Sequence, residues 1–517
     1  MKNLHVGILG SNHGWRSLME QEGVPFDHLT TVGDLHLYSV IIVGESAGSA
    51  EVEVARAVLS GGGAVLCAGE VYRRLTHEPC SMINIGSIYG DEGTAFSRIG
   101  AVDLFQECLV PSSANVMMTS DGRPTCYAGS FGNGYLVVLP FDAGRAVMDE
   151  RVRHKSFFSR RARMPHERVS AVAKGEVRRL VSRALELLHH AQGLPYVHVW
   201  RFPSDARSVC SLRIDTDFAT PQSIMDIYTL AARLEVPFTW FIHVNAHREL
   251  LSAFAKMTSH EIGIHCDRHI ELREEKEART NIEQAQHALS SAGLVARSFA
   301  APYGLWTPGL GAALEQFDVD YSSEFSYDYD NVPSFPMLVG KATRTLQLPI
   351  HPVSIGSLRR QSYDETEMVH YFNDIIDAKL AAREPLFLYH HPLNGHLAVL
   401  ESILTRMKEN NIAVGRMIDF AIWWKKRLEV KVNIRINDTI IHLDITSREP
   451  TVWLHVTRSD GMEAFAPMDS QIQLDRLTWQ LVPVPASRDH VASRGFNPWI
   501  PINLIEDRLS QVLYPRS

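Results

Sequence analysis

The chain has 517 residues, 45% of them hydrophobic and 21% charged, and a formal net charge of −8. That length exceeds one ordinary domain and supplies more than one core, and the acidic balance argues against nucleic acid or an anionic membrane surface as main partner. The six cysteines include no C-x-x-C pair and read as reduced thiols, not as a disulfide framework.

The opening stretch, MKNLHVGILGSNHG, lacks the long apolar core and small-residue cleavage site of a signal peptide. No segment approaches the ~18 apolar residues of a membrane span, so a cytoplasmic protein without a span is expected. Residues 1–150 alternate strand and helix patterns: LHVGILG then HGWRSLMEQEG, LYSVIIVGE then EVEVARAVLSGG, then AVLCAG and GNGYLVVLPFDAG. Such alternation predicts a parallel, flavodoxin-like sheet.

Residues 151–195 read as a basic helical connector, with Arg and Lys dense from Arg151 to Arg183. That charge is read as a solvated face; the alternative is a polyanion site. Residues 196–428 then carry eight candidate strands: SVCSLRID, PFTWFIHV, HEIGIHC, RSFAAPY, YSSEFS, TLQLPIHP, PLFLYHHP and IAVGRMI. Helical stretches separate several of them, and a (β/α) barrel with active residues at the strands' C-terminal ends is the natural closure. Residues 429–517 alternate with period two, as in VKVNIRIND and PTVWLHVTR, and predict a small antiparallel β domain of sandwich type.

Two aspartates one residue apart, Asp215 and Asp217 in SLRIDTDFAT, stand at the end of the first barrel strand. Side-chain alternation places them, with Arg213, on one face, where their repulsion requires a cation. SHEIGIHCDRH, residues 259–269, sets His265 and His269 four apart, as two imidazoles on one side of a helical turn. Two neutral imidazoles and one carboxylate suit a single divalent transition metal, Zn²⁺, Co²⁺, Fe²⁺ or Ni²⁺, with positions left open.

FAAPYG, residues 299–304, ends a strand in a turn whose backbone N–H groups could bind an oxyanion. LFLYHHPLNGH, residues 386–396, ends another in His390 and His391, one of which could protonate a leaving group. His243 and Asn245 at the end of the second strand read as structural or as pocket-lining. Asp267 is read as orienting an imidazole or as facing solvent, and His396 as a loop residue.

This constellation resembles the polysaccharide deacetylases, carbohydrate esterase family 4, metal-dependent de-N-acetylases on a distorted (β/α) barrel. Their first motif is matched by RIDTDF and their second, Gly-His-Glu-Ile-Gly-Asn-His-x-x-x-His, by SHEIGIHCDRH. Their third looks like AAPYG and their late Leu-x-His strand like LFLYHH. The resemblance covers about 210–392 and implies Asp215 as general base, with Asp217, His265 and His269 as metal ligands. It further implies Tyr303, through its backbone N–H, as oxyanion donor, and a late histidine as general acid. His391 is preferred over His390 because a proline follows it.

The family's third-motif arginine, which orients the catalytic aspartate, falls at Ala300. Arg213 is the candidate replacement; the alternative is that it only neutralises the carboxylate pair. The family's fourth motif has no clear match, although Asp320 and Phe325 lie nearby.

Residues 1–150 look like the class I glutamine amidotransferase-like architecture, with Cys67 after a strand. Val65 and Leu66 stand where that family's nucleophile elbow needs glycine, so Cys67 reads as a structural thiol and the domain as an accessory one. The expected function is removal of an N-acyl group, an acetyl, from an amino sugar, with zinc as the first candidate metal. The alternatives are hydrolysis of another non-peptide C–N bond in a small amide, or a non-catalytic carbohydrate-binding or assembly protein. A carbohydrate or N-acylated small molecule is the expected partner, with self-association or an assembly partner through the flanking domains.

Overall fold

The structure, a computed structural model, describes residues 1–484 apart from 11, 30–36 and 91–92, together with residues 500–502. The N-terminal sheet has nine strands. Five of them, Phe26–His28, Val6–Leu9, Val40–Val43, Ala64–Ala68 and Gly134–Leu139, run parallel in that spatial order. Runs such as VIIV and AVLCA are buried on both faces because helices cover both sides of this half.

The other four strands are Pro124–Phe131, Val116–Thr119, Cys80–Tyr89 and Ala101–Pro111, and they extend the sheet in antiparallel fashion. The expected all-parallel sheet therefore accounts for only one half. In the other, Cys80–Tyr89 leaves much of its length in solvent, a surface that only an antiparallel extension tolerates.

Residues 151–195 differ from a simple basic helix. They begin with a hairpin, Val152–Ser156 against His166–Ser170, and only then form the helix Lys174–Ala191. Val177, Leu180, Val181, Ala184, Leu185 and Leu188 fall on one stripe of that helix and join the core formed by Val6, Ile8, Leu66 and Val137. The basic residues between them masked this amphipathic pattern. Arg178 is buried, not solvated, and pairs with Glu22 and Glu384.

The barrel region is a seven-stranded, all-parallel sheet. Its order is Leu346–Gln347, Tyr321–Ser322, Ser298–Phe299, Glu261–Cys266, Thr239–His243, Cys210–Asp215, Leu386–His390. The two ends approach each other where the His351 N–H donates to the Phe387 carbonyl at 2.8 Å and the Tyr389 hydroxyl to the Pro352 carbonyl at 2.9 Å. The expected eighth strand, IAVGRMI, does not form; Val414 makes only an isolated bridge to Cys210. Half of a (β/α) barrel is thus regular and the other half is held by very short strands.

Beyond the helix Met417–Glu429, two four-stranded antiparallel sheets follow, and each borrows a strand from elsewhere. Val432–Asn437, Ile440–Ile445 and Gln471–Gln473 are joined by Lys2–Asn3. Trp453–Thr457, Met462–Pro467 and Gln480–Leu481 are joined by Tyr196–Val199. The expected C-terminal β unit is therefore completed by the N-terminus and by the segment entering the barrel, and 485–499 and 503–517 lie outside the described residues. Among the described residues, no helix is long and apolar enough to cross a membrane.

Candidate active site

The strand Cys210–Asp215 is buried throughout and ends at Asp215. Asp217 lies past the strand, in a left-handed turn with φ near +41°. The alternation expected to carry both aspartates on one strand face thus ends one residue early. A non-glycine residue in this region is held there by its surroundings. Here the His243 Nδ1–H donates to the Asp217 carbonyl at 2.9 Å, and the His243 N–H donates to Thr216 Oγ1 at 2.9 Å.

Arg213 and Asp215 do share a face. Arg213 Nε meets Asp215 Oδ1 at 2.7 Å, and a second guanidinium nitrogen meets Oδ2 at 2.6 Å. The third nitrogen donates to the Ser323 carbonyl at 2.6 Å. Both side chains are buried, so this fork works in a low-dielectric setting and fixes the plane of the carboxylate.

His265 is the penultimate residue of the strand Glu261–Cys266, and His269 follows in irregular chain, not in the helical turn expected from their spacing. The His265 Nδ1–H donates to the Ala300 carbonyl at 2.7 Å, which leaves the Nε2 lone pair directed at the site. Nε2 lies 3.2 Å from Asp217 Oδ1, and His269 Nε2 lies 3.4 Å from the same oxygen. Asp217, His265 and His269 each place one ligand atom within 4.8 Å of the other two, the arrangement able to hold a metal ion. Asp217 Oδ1 and His265 Nε2 are both buried and make no hydrogen bond that satisfies them. Two lone-pair donors left in this way at one point are what a cation requires.

His391 Nε2 stands 3.5 Å from Asp217 Oδ2. Burial lowers the His391 imidazolium, while Asp217 and then Asp215 pull in the opposite direction. Burial would raise the Asp217 carboxyl, but His391, His265 and His269 outweigh it and hold it well below the ordinary range. His390 points away into the packing: it is wholly buried, neither ring nitrogen has a partner, and burial pushes it down to about 3. Of the two adjacent histidines, only His391 meets the cluster.

Tyr303 also takes a left-handed conformation, φ near +62°, in the Pro302–Gly304 turn. Its side chain is 47% exposed and its ring lies 4.9 Å from that of His269. Any side chain at Gly304 would have to displace Phe325, since a Cβ would sit 2.3 Å from its ring. Phe218 lines the other side, 5.6 Å from His269 and 4.9 Å from His243.

Several residues serve the site without having been picked out. Glu324 is buried and accepts the Ala301 N–H at 2.9 Å, which ties the Pro-Tyr-Gly turn to the next strand. The only signal for it was an acid inside the otherwise small and apolar run YSSEFS. Asp267 does not orient an imidazole; it pairs with Arg248 at 2.9 Å. Asp320 pairs with Arg297 and Lys425, apart from the cluster. His396 bonds Glu365 in the loop, and exposed Asn245 accepts from Arg248. In the N-terminal sheet, Cys67 is fully buried and burial drives its thiol well up, which suits structure and not nucleophilic attack.

Comparison with known proteins follows this geometry. No curated protein sequence matches the chain. Among solved structures, a Mycobacterium smegmatis protein named after the polysaccharide deacetylases superposes with a TM-score of 0.38 at 16% identity, over 44% of this chain and 94% of its own. The allantoinase PuuE gives 0.37 at 16% identity, over 44% and 92%. BA3943 of Bacillus anthracis, described as a family 4 carbohydrate esterase pseudoenzyme, gives 0.30 at 15% identity, over 42% and 66%. The family model described as polysaccharide deacetylase matches residues 203–322, a span that takes in Asp215, Asp217, His265, His269 and Tyr303 and stops short of His391. Residues 203–322 are thus similar to the polysaccharide deacetylase family, and they lie in a parallel sheet that stands between an N-terminal mixed sheet and two C-terminal antiparallel sheets.

Proposed function

We propose that the chain is a metal-dependent hydrolase that removes an acetyl group from the nitrogen of an amino sugar. The observation that carries this reading is the convergence of Asp217, His265 and His269, with a buried carboxylate oxygen and a buried imidazole nitrogen left unsatisfied between them. These three residues would hold one divalent transition metal, Zn²⁺ being the first candidate, and that ion would polarise the acyl carbonyl and acidify water.

The chain's own residues supply the remaining chemistry. Asp215, fixed by the Arg213 fork, takes a proton from the attacking water as the new C–O bond forms. The backbone N–H of Tyr303 donates to the oxygen on which negative charge develops. His391 gives a proton to the amine nitrogen as the C–N bond breaks, and acetate and free amine are released. Burial lowers His391 from its ordinary value, and Asp217 and Asp215 offset part of that by favouring its protonated form.

Arg213 takes the orienting role of the arginine that the family motif would place at Ala300. Its support is geometric: two nitrogens on one carboxylate, from the same strand. The test is metal analysis of the purified chain, then assay of acetate and amine release from N-acetylated sugars, with chelator and with restored Zn²⁺ or Co²⁺. About one metal per chain and metal-dependent release of both products are expected. A chain that binds no divalent metal on reconstitution would falsify the reading.

A further inference from the structure

The strand Thr239–His243 lies in the sheet between Cys210–Asp215 and Glu261–Cys266, and its last residue is His243. Asp217 comes from the chain that follows one of these neighbours. His265 and His269 come from the end of the other. His243 thus stands between the two segments that carry the metal-ligand cluster, and it is only 3% exposed.

Toward the first neighbour His243 bonds twice. Its backbone N–H donates to Thr216 Oγ1, and its Nδ1–H donates to the Asp217 carbonyl, both at 2.9 Å. A carbonyl oxygen only accepts, so Nδ1 carries the ring hydrogen. The Phe218 ring meets the imidazole edge to face at 4.9 Å, and the Thr216 N–H donates to the Phe241 carbonyl at 3.0 Å. Residues 216–218 are therefore held to this one strand end. The His247 ring, centred 6.5 Å from that of His243, also faces the backbone of Thr216 and Asp217.

Toward the second neighbour the register shifts at the same residue. Ile242 pairs with Ile264 but His243 pairs with Cys266, which leaves His265 as the extra residue of a bulge. A bulge re-aims the side chain it carries. His243 thus joins the turn that presents Asp217 to the bulge that presents His265.

Asp217 depends on such support because it lies past its strand in a left-handed conformation that a non-glycine residue does not keep unaided. From there Oδ1 reaches His265 Nε2 at 3.2 Å and His269 Nε2 at 3.4 Å. A turn relaxed toward extended backbone would carry that oxygen away from both imidazoles. His243 is not a fourth ligand: its Nδ1 is committed to the carbonyl, and among the described residues the ligand atoms that converge belong to Asp217, His265 and His269.

We propose that His243 is a positioning residue of the metal site, its Nδ1–H fixing the Asp217 turn in the ligating geometry. The inference rests on the reading of Asp217, His265 and His269 as metal ligands. Asparagine at 243 can place an N–H the same number of bonds from Cα as histidine Nδ1, whereas leucine has none. Titration of the metal-free full chain with Co²⁺, followed by its visible absorption, tests the proposal. His243→Asn should bind one Co²⁺ with the wild-type absorption band and an affinity within about threefold. His243→Leu should bind at least about tenfold more weakly, the scale of a lost supporting contact behind a metal ligand. Circular dichroism establishes folding; should His243→Leu not fold, His243→Gln, whose N–H lies one bond further out, carries the same expectation. Wild-type chain that binds no Co²⁺ removes the ground of the hydrolase reading and of this inference together. Undiminished Co²⁺ affinity in folded His243→Leu or His243→Gln, or a loss in His243→Asn as large as theirs, overturns this inference alone.

Discussion

Arg213 and Asp215 stand two residues apart on one buried strand, and the guanidinium of one grips both carboxylate oxygens of the other, at 2.7 and 2.6 Å. Because the pair is local in sequence, its geometry is set by the strand itself and by the anchoring of Arg213 on the Ser323 carbonyl. Lysine at position 213 would keep a charge but lose the fork. Arg213→Lys should therefore lower kcat by about 100-fold, the scale of a misplaced catalytic group, with metal content kept and KM little changed. Unaltered turnover would mean that Arg213 only neutralises the carboxylates.

The division of work proposed for Asp215 and Asp217 is measurable. Asp217 touches His265 and His269, whereas Asp215 is committed to Arg213. Asp215→Asn should abolish acetate release while the chain still carries its metal. Asp217→Asn should reduce metal affinity by about 10-fold or more, as loss of a ligating carboxylate does at least as much as loss of its supporting shell. Elemental analysis beside the activity assay separates the two, and the same loss of metal in both variants sinks the assignment.

How much of this could be read in the sequence varies by element, for physical reasons. The convergence of Asp217, His265 and His269 was legible because a carboxylate and two imidazoles at such spacing stand out by residue type alone. The parallel strands VIIV and AVLCA were legible because burial on both faces leaves an unbroken apolar run. IAVGRMI has the same look and forms no strand; its Ala413 carbonyl and Gly415 N–H serve only Cys210. Tertiary context decides such short runs, and local pattern cannot. Glu324 and Ser323 were hidden because their roles depend on contacts with Ala301 and Arg213, far away in the chain. The strand Lys2–Asn3 was hidden likewise, since it pairs with Ile436 and Arg435 from the far end of the chain.

His390 and His391 are neighbours with opposite fates, and pH distinguishes them. His391→Ala should remove turnover with little loss of fold. His390 is buried without partners, and burial lowers its imidazole to about 3; His189, in the N-terminal core, is lowered to about 4. In the unfolded chain both protonate near 6.5, so below that pH the unfolded state binds more protons and stability falls. The loss begins as pH drops through 6.5 and continues to about 4 for His189 and about 3 for His390. Each contributes a slope of up to about 1.4 kcal/mol per pH unit. Denaturant unfolding between pH 7 and 5 should show this decline, and His390→Phe should make it shallower with no cost at pH 7. An identical slope in that variant would show that His390 is not buried neutral.

Glu22 binds the parts of the molecule together. From the first helix it reaches Arg201 at 2.7 Å, Ser182 at 2.5 Å, Tyr196 at 2.9 Å and Arg178 at 3.4 Å, and Arg178 continues to Glu384 at the start of the last barrel strand. Burial opposes its ionised form, yet Arg201, His198 and Arg178 outweigh burial and hold its carboxyl far below the usual range. Removing one member of such a cluster strands the others' charge in the interior, which costs about 3–5 kcal/mol. Glu22→Ala should lose stability on that scale, and Glu22→Gln, which keeps the hydrogen-bonding shape but not the charge, should lose less. Because Arg178 and Arg201 hold the N-terminal sheet to the barrel, hydrogen exchange in Glu22→Ala should accelerate first in the helices His13–Glu22 and Lys174–Ala191. A loss below about 1 kcal/mol, with exchange unchanged in both helices, would show that the cluster is incidental to how the domains are joined.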